Sequence, residues 1–184
     1  MSVAYDASGV YSWFSVTSLT VSVAGGSPTA VGFAICRPTG DPFVALTLDS
    51  VTYGGSALSQ FEAGVSNDSQ ITEIWGLASC ATGTQNATIT WTGSNSASFA
   101  AMTVTGSDTT TCFTASANMQ SSFAITVSGT TADELVLGGM TCIGAPSVSG
   151  AGHVSLGTGF ISYHSTIFSY KPGASTSTTL NYDG

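Results

Sequence analysis

Apolar and polar residues alternate with a period of two along most of this chain. Leu19-Thr20-Val21-Ser22-Val23 alternates strictly, and Gly25-Gly26-Ser27-Pro28 stops it. In a strand, successive side chains point to opposite faces, so this pattern predicts a half-buried strand. Val31 to Cys36 is a nearly continuous apolar run. It reads as a strand covered on both faces or lying in mid-sandwich. Arg37-Pro38-Thr39-Gly40-Asp41-Pro42 is a turn cluster. Leu46 to Tyr53 is the next strand, and Gly54-Gly55 predicts a tight hairpin with its return over Ala57 to Phe61. Gln70 to Leu77 follows, with Ile71, Glu73 and Trp75 on one face and Ile74 on the other.

Ala87 to Trp91 and Ser98 to Thr105 read as two strands separated by a turn at Gly93 to Ser96. Phe123 to Val127, Glu134 to Cys142, Val154 to Phe160, Ser162 to Tyr170 and Thr178 to Tyr182 complete the series. No window carries apolar residues at helical spacing with charges opposite. The expected fold is all-β: an antiparallel, jelly-roll-like β-sandwich of about ten to twelve short strands. Residues 15–184 form one domain by this reading, since no linker or repeat divides them. Residues 1–14 stand apart as an aromatic N-terminal arm with Tyr5, Tyr11, Trp13 and Phe14. The arm covers an edge of its own sandwich or packs on a neighbour.

Composition narrows the function. The 184 residues include two basic and ten acidic side chains, a net charge of −8. Two cations cannot neutralise a row of phosphates, which excludes nucleic acid as a partner. Nor do they form the basic patch that holds a protein to anionic lipid. No stretch of 18 apolar residues occurs, so no insertion into a membrane is expected. Met1 to Asp6 lacks a basic stretch leading into an apolar core and does not read as a secretory signal. Either a leader has been removed, or the protein is made in the cytoplasm and acts elsewhere. A surface of Ser, Thr, Gly, Asn and Gln with so few charges suits a subunit packed among neighbours, or an extracellular protein.

Candidate chemistry is sparse. Cys36, Cys80, Cys112 and Cys142 have no metal-knuckle spacing. They are either buried thiols acting as small hydrophobes or the ends of one or two disulfides, with Cys36 and Cys142 the first pair to consider. His153 and His164 are the two histidines. A serine triad needs one of them between a hydroxyl and a carboxylate, and the elbow motif that presents such a serine is missing around Ser149. Glu62 and Glu73 could form a carboxylate pair on neighbouring strands. Glu73 with Trp75, or Tyr163 with Tyr170, could form a sugar platform, while Trp75 and Trp91 also fit a sandwich core. Asp41, Asp49, Asp68, Asp108 and Asp183 lie in or near loops of the kind that hold Ca²⁺, without the spacing of a calcium loop. No cofactor is expected. Asn67-Asp68-Ser69 and Asn86-Ala87-Thr88 match the glycosylation acceptor pattern.

Five motifs occur in a telling order: VTYGGSAL (51–58), EIWGL (73–77), ATGTQNATITWTG (81–93), FAAMTVTGSD (99–108) and TADELVLGGM (131–140). Over about residues 16 to 184 the chain resembles a Gly/Ser/Thr-rich β-sandwich domain of tailed-phage virion proteins and some secreted bacterial proteins. The resemblance implies a jelly-roll-like sandwich on a virion surface, as a head decoration, head fibre or tail component. It carries over no catalytic residue. The cysteines and the aromatic arm are not part of the family pattern.

The expectation is therefore a non-enzymatic structural subunit, a capsid decoration or head-fibre type of protein, on a virion surface or in an extracellular assembly. Its partners would be copies of itself and a capsid, tail or filament lattice. Tyr5, Tyr11, Trp13 and Phe14 are the expected contact residues. Alternatives are a secreted carbohydrate-binding or adhesive module using Trp75, Tyr163 or Tyr170, and a self-polymerising surface filament using strand exchange. A protease-resistant secreted hydrolase is a further alternative that the residue inventory hardly supports.

Overall fold

The computed structural model describes residues 2–38, 46–65, 70–108, 112–113, 123–161 and 164–184. Within its strands, the side chains of residues 14, 15, 62, 64, 65 and 93–95 lie outside that description. Thirteen strands and no helix occur among the described residues: β1 (Ala4–Ala24), β2 (Ala30–Pro38), β3 (Leu48–Tyr53), β4 (Ser56–Ala57), β5 (Ser59–Val65), β6 (Gln70–Ala78), β7 (Thr84–Thr105), β8 (Ala124–Ser128), β9 (Leu135–Cys142), β10 (Ser147–Ser149), β11 (Val154–Ile161), β12 (His164–Pro172) and β13 (Ser177–Asp183). The count exceeds the expected ten to twelve because β4 and β10 are fragments of two and three residues. All pairings are antiparallel.

Two strands are far longer than the sequence pattern suggests. β1 has 21 residues, β7 has 22, and they pair with each other from Ala4 opposite Thr105 to Ala24 opposite Thr84. Fully extended, such a ribbon would measure roughly 70 Å. A compact domain of this length has a radius of gyration of only about 16 Å. The ribbon therefore doubles back. Its register slips between Trp13 and Ser18, opposite the Gly93 to Ser96 segment. That segment is a bend inside β7 and not the turn expected there; a Gly/Ser/Asn cluster permits either. The two ends of the ribbon then meet. Gly26 N donates to Asp6 Oδ2 at 3.1 Å, and Thr103 Oγ1 donates to the same oxygen at 3.2 Å. Gly9 has no side chain because Val21 of the other half lies against it: a Cβ there would come within 2.8 Å of a Val21 methyl.

The doubled ribbon makes two layers. In one, β5, β6, β2 and the second half of β7 lie side by side, with residues 4–13 of β1 at the border. In the other, β4 and β3 join the first half of β7 and residues 16–24 of β1. Phe33, Ile35, Phe99, Ile89, Trp91, Tyr53 and Leu19 fill the space between them. The opposite face of β2 and β7 shows small residues, Ala34, Cys36 and Ala100, which pack against Ile161 and Phe168 of the sheet β11–β12–β9. The far face of that sheet, with Val136, Met140 and Ile167, is covered by Val127, Leu180 and Tyr182 of the sheet β10–β13–β8. Four layers are stacked, so β2 and β9 are covered on both faces, as their unbroken apolar runs require.

Serine and threonine enter these interfaces in pairs. Ser98, Thr103, Thr166 and Ser169 are fully buried. Thr166 Oγ1 donates to Ser98 Oγ at 3.0 Å between two layers, and Thr130 and Thr178 hydroxyls bond at 2.8 Å within the β10–β13–β8 side. Each of these Ser and Thr hydroxyls thus has a partner, which removes most of its burial cost.

Candidate functional site

The N-terminal segment is not a separate arm. Residues 4–13 are the first half of β1 and pair with residues 97–105 of β7, inside their own fold. The strand carries a bulge near its start. Tyr5 stands opposite Val104 and Ala7 opposite Thr103, so Asp6 is an extra residue. A one-residue insertion reverses which face each following side chain takes. Tyr5 consequently lies on the face towards β12, stacked on Tyr170 at 5.1 Å and 2°. Tyr11 and Trp13 lie on the other face and stack on each other at 6.4 Å and 8°. They are 40% and 56% exposed. The Phe14 side chain lies outside the described residues. The four aromatics expected to act together are thus divided between two faces.

β1 pairs with β7 alone. Its other edge carries no strand among the described residues. From Ala7 to Trp13 that edge contains no charge and no proline, the usual guards of an open sheet edge. At the opposite border of the same layer, β5 has a register shift at Gln60/Glu62 and an acidic residue there.

The platform residues do not converge. Glu73, only 3% exposed, accepts from Arg37 Nη2 at 2.6 Å and from Trp75 Nε1 at 3.1 Å. Trp75 is half-buried against the main core, with its polar atom turned to Glu73. Tyr170 is occupied by Tyr5, and Tyr163 lies outside the described residues. Glu62 stands opposite Ile74 rather than Glu73. Asp49 accepts from Thr92 Oγ1 at 2.9 Å, and Asp41 and Asp68 lie outside the described residues. No three His, Cys, Asp or Glu side chains converge as metal ligands among the described residues.

One histidine does meet a serine. His153 Nε2 is 2.8 Å from Ser169 Oγ, which is 2.9 Å from Tyr182 Oη. His153 Nδ1 lies 3.2 Å from the Ser149 carbonyl, to which an Nδ1–H donates in one tautomer, and 3.3 Å from the Asn181 N–H, which donates to it in the other. No carboxylate faces Nδ1 among the described residues, and Ser169 is fully buried. A triad needs the reverse of both. Burial lowers the His153 pKa below its ordinary value, and it pushes the Tyr182 phenol up to about 12. The chain is a buried polar seam between two sheets. An open depression of about 590 Å³ lies beside it, lined by Phe123, Ser149, Gly150, Asn181, Tyr182 and Asp183.

Compared with known protein families, curated proteins and solved structures, the chain matches none. Its own geometry is what bears on function.

All four cysteines are free thiols. The first candidate pair is separated by the pleat. Cys36 Sγ sits 3.1 Å from Thr141 Oγ1, and Cys142, one residue on, points to the opposite face of β9 towards the Met140 cluster. Burial raises the pKa of every one of them, that of Cys80 to about 11. Sequence reasoning did not single out the bulge at Asp6 or the Arg37–Glu73 ion pair. An Asp directly after Tyr5 in an otherwise uncharged run was the available signal for the first.

Proposed function

We propose that this chain is a non-enzymatic structural subunit of a virion or extracellular assembly, of the capsid-decoration or head-fibre kind, built on a jelly-roll-like sandwich. The observation that carries the reading is the outer edge of β1, which no strand covers among the described residues: uncharged from Ala7 to Trp13, without proline, and flanked by exposed Tyr11 and Trp13. Aromatic side chains on an open strand are a contact surface suited to another protein. Both cations are engaged within the fold, Arg37 with Glu73 and Lys171 with the Thr179 carbonyl. The surface then offers a partner hydroxyls, amides, aromatics and scattered carboxylates, and association is driven by shape and backbone pairing rather than by charge. The family resemblance of the five motifs points the same way. Strand exchange has less support, because the N-terminal segment is paired within its own sheet.

Light scattering across a wide concentration range tests this. Discrete masses of two or more chains, with ordered particles in negative stain, are the expected result. A mass of one chain, 18.5 kDa, at every concentration would overturn self-assembly.

A further inference from the structure

We infer that β1 pairs with β1 of a second copy, antiparallel, about a two-fold axis at Val10. This deepens the proposed function and rests on it.

The direction of the backbone groups decides which residues are available. Ala7 N–H donates to Thr103 Oγ1 at 3.1 Å, and Ala7 O lies 3.3 Å from the same hydroxyl, so both backbone groups of Ala7 point at β7. Val104 O accepts from Thr29 N, on the β2 side, so its neighbour Thr103 faces β1. In an antiparallel pair, alternate residues point their N–H and C=O to the same side. Gly9, Tyr11 and Trp13 therefore bond to β7, as Ala7 does. Ser8, Val10 and Ser12 point away, into the free edge. The run lies between register shifts at Tyr5/Ala7 and Trp13/Val16, so it is regular throughout.

The sequence of this run, Ala-Ser-Gly-Val-Tyr-Ser-Trp, is complementary to itself when reversed about its middle. Val10 meets Val10 of the second copy, and each donates an N–H to the other. Ser8 meets Ser12 in both directions, so all outward N–H and C=O groups find partners. Tyr11 then stands opposite Gly9 and Trp13 opposite Ala7, so no two large side chains compete for one place. No charge lies in the run to oppose its copy, and the nearby Asp6 carboxylate is held inward by Gly26 and Thr103. A sheet edge with these properties is a template for strand addition. The occupant is a second copy of this chain because the self-matching register supplies the pairing.

Two kinds of variant test it in the full chain. Ser12→Pro removes an outward N–H and no bond within the fold. It should halve the mass seen by light scattering while leaving the circular dichroism spectrum unchanged. Ser12→Lys gives the same readout should the proline variant fold poorly. Val10→Cys should cross-link to its own copy under copper-phenanthroline and air, well above the wild type with its native thiols. Paired Cα atoms in this register lie about 5.5 Å apart, within disulfide reach. Ser12→Cys should not cross-link to itself, since its copy is roughly 14 Å away in this register. A wild-type oligomer unaffected by both Ser12 substitutions, with no cross-linking through Val10→Cys, would overturn the edge pairing and leave self-assembly standing. A wild type of one-chain mass at all concentrations would overturn both.

Discussion

Glu73→Ala should be among the most damaging single substitutions in this protein. The Glu73 and Arg37 side chains are 4% and 16% exposed. One carboxylate oxygen takes the guanidinium and the other the Trp75 indole N–H, while Arg37 also donates to the Leu46 carbonyl. Removing Glu73 strands a buried cation and an indole N–H together. Breaking one side of a buried pair typically costs about 3–5 kcal/mol. Folded domains have only about 5–15 kcal/mol in total. In a domain of this size each kcal/mol shifts Tm by roughly 2–4 °C, so a fall of about 6–20 °C is expected. Replacing both ends, as Arg37→Leu with Glu73→Leu, removes the charges together and should recover most of the loss. Urea unfolding of wild type, both singles and the double gives the coupling directly. A loss below about 1 kcal/mol for Glu73→Ala, or additive singles, would refute the view that this pair is a unit within the β2–β6 ladder.

Three further outcomes follow from other sites. Gly32 and Gly76 face each other across β2 and β6, and the Phe113 ring lies on both, with Phe61 beside it. Gly76→Ala should destabilise by about 1–3 kcal/mol through overpacking; a thermal melt unchanged within error would show that the ring simply moves aside. His153 has a folded-state pKa below the ordinary 6.5, mainly through burial. The unfolded chain takes up this proton first as pH falls through 6.5, so the contribution present at neutral pH is lost progressively below it. Urea midpoints from pH 5 to 8 should slope less in His153→Gln than in wild type, and equal slopes would exclude His153 as a source of the pH dependence. Thiol labelling at pH 8 should reach Cys112 and Cys142, which are partly exposed, well before Cys36 and Cys80, which are buried; equal rates at Cys36 would contradict its enclosure between Thr72 and Thr141.

Strand positions were legible where both faces of a strand were apolar or strictly alternating. Val31 to Cys36 alternates Phe33 and Ile35 towards one core with Ala34 and Cys36 towards another, and both faces needed burial. Leu135–Cys142 was readable for the same reason. The ribbon's bend was not legible, because a Gly/Ser/Asn cluster has the same local preferences in a turn and in a bent strand. What separates them is the register of β1 opposite, which is a long-range property. The grouping of Tyr5 with Tyr11 and Trp13 failed through one inserted residue, Asp6, whose effect is felt only once the strand is paired. Trp91 is core, as alternation suggests, but its outer counterpart Trp75 is held by a buried carboxylate that alternation alone does not reveal.

The doubled ribbon also sets the order in which the molecule can be made. Ala4 pairs with Thr105, and Ala24 with Thr84. On a ribosome adding roughly 5–20 residues per second, β1 emerges several seconds before any of β7 exists to receive it. Through that interval its backbone groups have no native strand to bond on either side. Closing such a distant contact is slow even after synthesis ends. A nascent chain with so few charges thus passes through a stage in which its longest early strand is available to other copies. Cells that produce it in quantity would gain from a chaperone that holds the first 24 residues until the chain has passed residue 105.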